Sequence, residues 1–221
     1  MSSFSLSGPC GGKTEALLWL RHQLKAMGFV VFSVPETSTT LRTHGAVYPG
    51  REPDRHEITL AYEVELLKMQ LHVEESITNV AKLEAPILGQ PESPIIILLD
   101  RAAMDVKAYA TSESTWHEIL HRCNVTEEDL LNRYDLICHL TSTAHGAEAY
   151  YTTANNLARS EGVKDARELD IRTRDNWCVH PHHYVINNLA GKSFEDKRNY
   201  LLNVILGHLK TKFPTYAIKP V

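Results

Sequence analysis

The sequence has no apolar run approaching the roughly 20 residues a membrane-spanning helix needs. Its longest, Ile95 to Leu99, has the length of a buried strand. It has no CxxC pair and no close-spaced cysteine framework, because Cys10, Cys123, Cys138 and Cys178 stand far apart. That pattern reads as free thiols in a reducing compartment, not as disulfides or a zinc site. It has no excess of basic charge: 23 Lys and Arg stand against 27 Asp and Glu, for a formal net charge of -4. Such a balance gives no general pull toward nucleic acid or an anionic membrane, and neither is expected as a partner. A bound polyphosphate must therefore be held by a local positive site. There are also no internal repeats, no low-complexity tracts and no linker strong enough to split the chain.

What is present suits one α/β domain spanning 1–221, with 43% hydrophobic residues to build its core. The first strand is expected to begin by about residue 3, with a phosphate loop from Ser7. A cleaved leader would remove that strand, so none is expected, and a cytoplasmic protein is.

Phe4 to Ser7 is a short strand. Lys13 to Met27 places Ala16, Leu17, Leu20, Leu24 and Met27 on one helical face, and Gly28 ends it. Phe29 to Val34 is an apolar strand. Thr37 to Pro53 reads as a long loop, and structureless loops beyond roughly 12–15 residues are usually functional. Arg55 to Leu83 is helical, and Pro94 to Asp100 is a buried strand ending in a carboxylate. Trp116 to Arg122 and Thr126 to Arg133 are short helices. Asp135 to Leu140 is a strand, Gly146 to Arg174 a charged helical stretch, Tyr184 to Ile186 a fifth strand and Phe194 to Leu209 a last helix. The tail after Pro214 is expected to be loose. Alternating strands and helices, with apolar strands, predict a five-stranded parallel sheet covered by helices on both faces and topped by a helical lid.

Ser7-Gly8-Pro9-Cys10-Gly11-Gly12-Lys13-Thr14 follows GxxxxGK[ST], with Ser7 in place of the first glycine. Glycines let successive backbone N–H groups turn inward around phosphate oxygens, and the following helix adds its positive end. Lys13 is placed for the β- and γ-phosphates and Thr14 for Mg²⁺. Glu15 follows in the same helical turn and completes the loop's set of candidate nucleotide-binding residues. The bland alternative is a glycine-rich turn that only starts a helix. The strand before and the amphipathic helix after are the context that phosphate binding requires.

Ligands of open parallel sheets sit beyond the carboxyl ends of the strands. Asp100 stands there as a Walker-B-type carboxylate for Mg²⁺, or else as a helix cap. Arg101 suits a transferred phosphate, or else a surface ion pair. Glu36, after the second strand, is placed to take a proton from an acceptor hydroxyl or to bind a ribose, unless it is a solvated loop residue. Asp105 is a weaker candidate of the same kind. Arg159, Arg167, Arg172 and Arg174 lie among carboxylates and read as a lid over the γ-phosphate or as a face of i,i+4 pairs. Arg159 is the candidate catalytic arginine. His180-Pro181-His182-His183 lacks partners in metal-ligand spacing, and is expected to shape the nucleotide pocket with Asn187 and Asn188.

Together, Gly8 to Thr14, Pro35-Glu36-Thr37, Leu99-Asp100-Arg101, Tyr134-Asp135, Asn156 with Ala158-Arg159, Ala166 to Asp170, and His180-Pro181-His182 with Tyr184 to Asn188 resemble the NadR-like AAA-domain family. That family includes the nicotinamide riboside kinase domain of bacterial NadR proteins and the GTP-binding N-terminal domain of eukaryotic photoreceptor translocation-defect proteins. The resemblance runs from about residue 3 to about residue 209, and the later motifs resemble the translocation-defect branch more. It implies a nucleoside-kinase-like P-loop fold that binds ATP or GTP with Mg²⁺, and leaves the acceptor open. Two functions remain at this point: a phosphotransferase acting on a small hydroxyl acceptor such as a nucleoside or riboside, or a regulatory NTP-binding module with slow hydrolysis.

Overall fold

Each strand but the first carries apolar side chains on both of its faces, so the sheet they form must be buried on both sides. The computed structural model describes residues 1–9, 11–88, 92–143, 163–188 and 193–220. Its five strands are β1 (Ser2–Ser7), β2 (Val30–Val34), β3 (Ile95–Asp100), β4 (Leu136–Leu140) and β5 (His183–Ile186). They pair in the order β2-β3-β1-β4-β5, all parallel. The chain builds one half of the sheet, then crosses to the other, so β1 lies where the order reverses. That is the place where open α/β sheets bind ligands.

Helices α1 (Lys13–Ala26) and α7 (Phe194–Lys212) cover one face. There Leu20, Leu24, Leu201 and Ile205 pack on Phe4, Leu6, Ile96 and Leu98. The other face is covered by α3 (His56–Ile87), α4 (Glu113–Cys123) and a 3-10 helix, Ala103–Tyr109, with Trp116, Met104, Leu67 and Trp177 over Ile97, Leu99 and Ile137. Trp177 directly follows α6 (Val163–Asn176), and α5 (Glu127–Leu131) adds Leu130. The expectation of strands apolar on both faces fails at β1, where Ser3, Ser5 and Ser7 alternate with Phe4 and Leu6. Small residues there let the 3-10 helix and its Asp105 approach the sheet edge, and Ser7 Oγ donates to Asp105 Oδ1 at 2.7 Å.

Two other expectations are corrected. The stretch after Glu36 is not structureless: α2 spans Thr37–Thr43. Its threonines have low helix propensity, but Thr37 Oγ1 donates to buried Gln70 Oε1 on α3 at 2.6 Å, so tertiary contact overrides propensity. The tail is not loose. Tyr216 packs on Phe29 with ring centroids 5.1 Å apart, its hydroxyl donates to the Gly28 carbonyl at 2.7 Å, and Lys219 N–H donates to Met27 O. The 3-10 helix at Ala103–Tyr109 was not anticipated. Among the described residues, Cys123, Cys138 and Cys178 are free thiols, and no helix is long and apolar enough to cross a membrane.

Candidate functional site

The strand register brings three functional ends to one edge. Leu6 pairs with Asp100 and Ser7 with His139, so the loop leaving β1 runs between the ends of β3 and β4. Gly8 has φ +96° and Gly12 φ +78°, the left-handed region that side chains resist. The loop also passes very close to β4. A Cβ on Gly8 would sit 2.4 Å from the Leu140 carbonyl oxygen, and one on Gly11 2.3 Å from the same atom. Ser7 is not under that constraint. It ends β1, and the loop's first positive φ falls at Gly8, so a side chain is tolerated at position 7.

Lys13 is buried, and its Nζ donates to the Gly8 carbonyl at 2.6 Å while lying 3.9 Å from Asp100 Oδ1. Burial lowers its pKa, and the Arg101 charge lowers it further, against Asp100, Glu36 and Asp105. Thr14 Oγ1 donates to Asp100 Oδ2 at 2.7 Å, so the two candidate metal ligands converge. Asp100 Oδ1 is buried and makes no hydrogen bond. A hydroxyl beside a carboxylate with an unpaired oxygen is a hard, anionic oxygen set of the kind Mg²⁺ takes, so these residues fit that ion. The helix-cap alternative for Asp100 has no support, since its carboxylate bonds to Thr14 instead.

Glu36 and Arg101 meet. Arg101 Nε donates to Glu36 Oε1 at 2.6 Å, and the two side chains are only 14% and 18% exposed, which removes the solvated-loop and surface-pair alternatives. Ser38 and Thr39 hydroxyls also donate to the Glu36 carboxylate. Burial alone would raise the pKa of Glu36, but Arg101, Lys13 and the Thr39 hydroxyl bring it down to about 2. In this pairing Glu36 is a strong hydrogen-bond acceptor and a weak base. Arg101 sits at φ +72°, a strained conformation for a side-chain-bearing residue, and its N–H donates to Leu6 O. Tyr109, Glu36 and Asp105 hold it charged against the opposing effect of burial.

The remaining candidates are spread more widely. Pro9 is buried in the loop and Glu15 is exposed in the first turn of α1. Asn187, exposed after β5, accepts from Thr141 Oγ1 at 3.0 Å on the loop's edge of the sheet. Asp105 accepts from Ser7 and Trp177, so it braces the loop and is not free to meet an acceptor. Arg174 pairs with its neighbour Asp175 at the surface. Cys10 and Arg159 lie outside the described residues, as does the part of the expected lid before residue 163. The His180-Pro181-His182 expectation is corrected. His182 O accepts from Ile137 N–H and His180 Nε2 lies 2.9 Å from Tyr134 O, at the start of β4, so this turn occupies the opposite edge of the sheet.

Sequence reasoning missed two supports of the loop. Lys197 on α7 is buried, and its Nζ donates to the Thr141 carbonyl and Asn188 Oδ1, each at 2.8 Å, and to Gly11 O at 3.4 Å. Burial lowers its pKa to about 8. His139, fully buried, meets Asp170 Oδ1 at 3.1 Å and packs its ring against Gly8. Neither has a local motif. Only the apolar run before His139 hints that it points into the core.

Residues 6–197 match the sequence profile of a family described as AAA domain. No curated protein matches the chain.

Proposed function

Because the chain belongs to the AAA domain family, a family of P-loop nucleotide-binding domains, we propose that it is a single-domain, Mg²⁺-dependent phosphotransferase of the cytosol. Its donor is ATP or GTP, and its acceptor is a small hydroxyl compound of the nucleoside or riboside kind. The NadR-like resemblance supports the same reading. The observation that carries it is the buried Arg101–Glu36 pair. It stands beside Thr14–Asp100 and within electrostatic reach of Lys13.

In this reading the glycine-rich loop and Lys13 cradle the donor's phosphates. Thr14 and Asp100 would hold Mg²⁺, which neutralises charge on the phosphates when bound. Glu36 accepts a hydrogen bond from the acceptor hydroxyl and fixes its direction. The hydroxyl oxygen bonds to the γ-phosphorus as the bond to the β–γ bridging oxygen breaks, and the nucleoside diphosphate leaves. The hydroxyl proton passes to the Glu36 carboxylate and then to solvent. A weak base suffices, because phosphoryl transfer depends more on positioning than on proton abstraction. Arg101, with one guanidinium nitrogen unpaired, faces the transferred charge.

The test is turnover with Mg²⁺-ATP or Mg²⁺-GTP across a panel of nucleosides. Glu36→Gln should lower kcat by about 100-fold with the true acceptor. Unchanged turnover in that variant would sink the assignment. The low pKa of Glu36 supports a second reading, a regulatory NTP-binding module with slow hydrolysis. It predicts that no acceptor accelerates consumption of the triphosphate.

A further inference from the structure

Beyond the Glu36–Arg101 pair lies a group of side chains that the transfer reading does not use. Tyr48 and Tyr109 sit at its centre, ring centroids 6.3 Å apart. Arg42 lies over Tyr48 at 5.6 Å, and Arg51 and Arg101 lie over Tyr109 at 5.8 and 5.9 Å. Arg172 lies on α6, which packs against the 3-10 helix that carries Tyr109, and burial and repulsion from Arg51 lower its pKa, against Glu168, Tyr109 and Tyr48. The guanidiniums of Arg42 and Arg172, which the transfer reading leaves unused, each keep a buried nitrogen without a hydrogen-bond partner.

Holding like charges together half out of water is costly unless an anion completes them. Glu168 offsets part of the charge on Arg172, and the other acidic side chains at hand add little. Glu36 is engaged by Arg101, Ser38 and Thr39. Glu63 of α3 is 1% exposed, and neither of its oxygens makes a well-formed hydrogen bond. Burial raises its pKa to about 8, against Arg51, Tyr48 and Arg42, so at neutral pH it carries a proton and cancels little of the positive charge.

We propose that this cluster is the binding site for a phosphate monoester on the acceptor, so that the acceptor is an already phosphorylated compound, such as a nucleoside monophosphate or a sugar phosphate, and not a neutral nucleoside. The guanidinium fork matches phosphate oxygens two at a time. Several forks converging exceed what the two oxygens of one carboxylate can receive, whereas a phosphate monoester offers three oxygens and a charge near −2. Tyr109 links the cluster to Arg101, so the anion sits one side chain away from the Glu36 end, where the reacting hydroxyl lies. The proposal rests on the phosphotransferase reading and narrows its acceptor.

The experiment is calorimetric titration of the full chain saturated with Mg²⁺ and a non-hydrolysable triphosphate, which keeps the phosphate loop filled. The probes are AMP, GMP, CMP, UMP and ribose 5-phosphate, each beside its dephosphorylated parent, with inorganic phosphate alone as a further arm. At least one monoester should bind about tenfold or more tightly than its parent. Whether a nucleotide or the bare sugar phosphate gives the largest difference identifies the source of the phosphate. Arg172→Gln should erase most of that preference and Arg172→Lys only part of it, with the melting temperature of each variant recorded to show that it folds. Equal or tighter binding of a parent nucleoside overturns the anionic acceptor and leaves phosphoryl transfer standing. A preference that survives intact in both folded variants overturns this location. Binding of the triphosphate with no acceptor of either kind overturns both readings.

Discussion

Gly8 concentrates two costs in one residue. Its φ of +96° is strained for any side chain, and an added Cβ would meet the Leu140 carbonyl at 2.4 Å and the His139 ring at 3.1 Å. Backbone and a fully buried ring cannot yield cheaply. Gly8→Ala should therefore destabilise the fold by about 2 kcal/mol or more and weaken nucleotide binding, read by denaturant unfolding and titration. A variant as stable as the parent would mean the loop has another conformation. Glu63 offers a test of sign. It ionises near 4.5 when unfolded and about 8 when folded, so its contribution is full below about 4.5 and is lost as pH rises toward 8. Glu36 acts oppositely: its contribution is present above about 4.5 and is lost as pH falls toward 2. Burial raises the pKa of nearby Tyr62, so that phenol stays neutral throughout this window. Glu63→Gln cannot ionise, so its stability relative to the parent should grow with pH by up to roughly 1.4 kcal/mol per unit between pH 5.5 and 7.5. A difference that stays constant over that interval refutes the buried, protonated carboxyl.

Elements with a strong internal period were readable from sequence, and those held by distant partners were not. Helices α1 and α7 and strands β3 and β4 carry their own apolar pattern, so their existence needed no tertiary information. Helix α2 has five Ser and Thr residues among its seven, Thr37-Ser38-Thr39-Thr40-Leu41-Arg42-Thr43, and is fixed by Glu36 at its start and Gln70 across from it. The C-terminal tail has no period at all, and is docked through Tyr216, Ile218 and Lys219 against Phe29 and Gly28. Deleting the residues after Phe213 removes an aromatic contact and at least two hydrogen bonds, which should cost on the order of 1–3 kcal/mol. For a domain of this size that is a fall in Tm of about 2–4 °C per kcal/mol. An unchanged Tm would show the docked tail to be energetically neutral.

At the scale of the whole molecule, the sheet separates two packed layers and leaves its carboxyl edge open to ligands. The part of that edge proposed to bind phosphate was legible because it is local: Gly8 to Thr14 is contiguous, and Asp100 ends its own strand. The Arg42–Arg51–Arg172 cluster was not, because its members come from α2, the segment after it and α6, and no spacing in the chain relates them. Coupling across the edge can be measured without knowing the acceptor. Ligand at about 100 times its Kd stabilises by roughly 2.7 kcal/mol, a rise in Tm of about 5–10 °C for a domain of this length. Part of that rise should require Mg²⁺, since Asp100 Oδ1 is buried without a hydrogen bond beside Thr14. Asp100→Asn keeps the shape and an oxygen for Thr14 but removes the negative charge. Its Mg²⁺-dependent increment should fall to about a third or less, because metal affinity follows ligand charge, while the Mg²⁺-free shift from nucleotide persists on the loop. If Asp100→Asn retains the full Mg²⁺ increment, the metal is held elsewhere, and the alignment of Thr14 with Asp100 serves only to join β3 to α1.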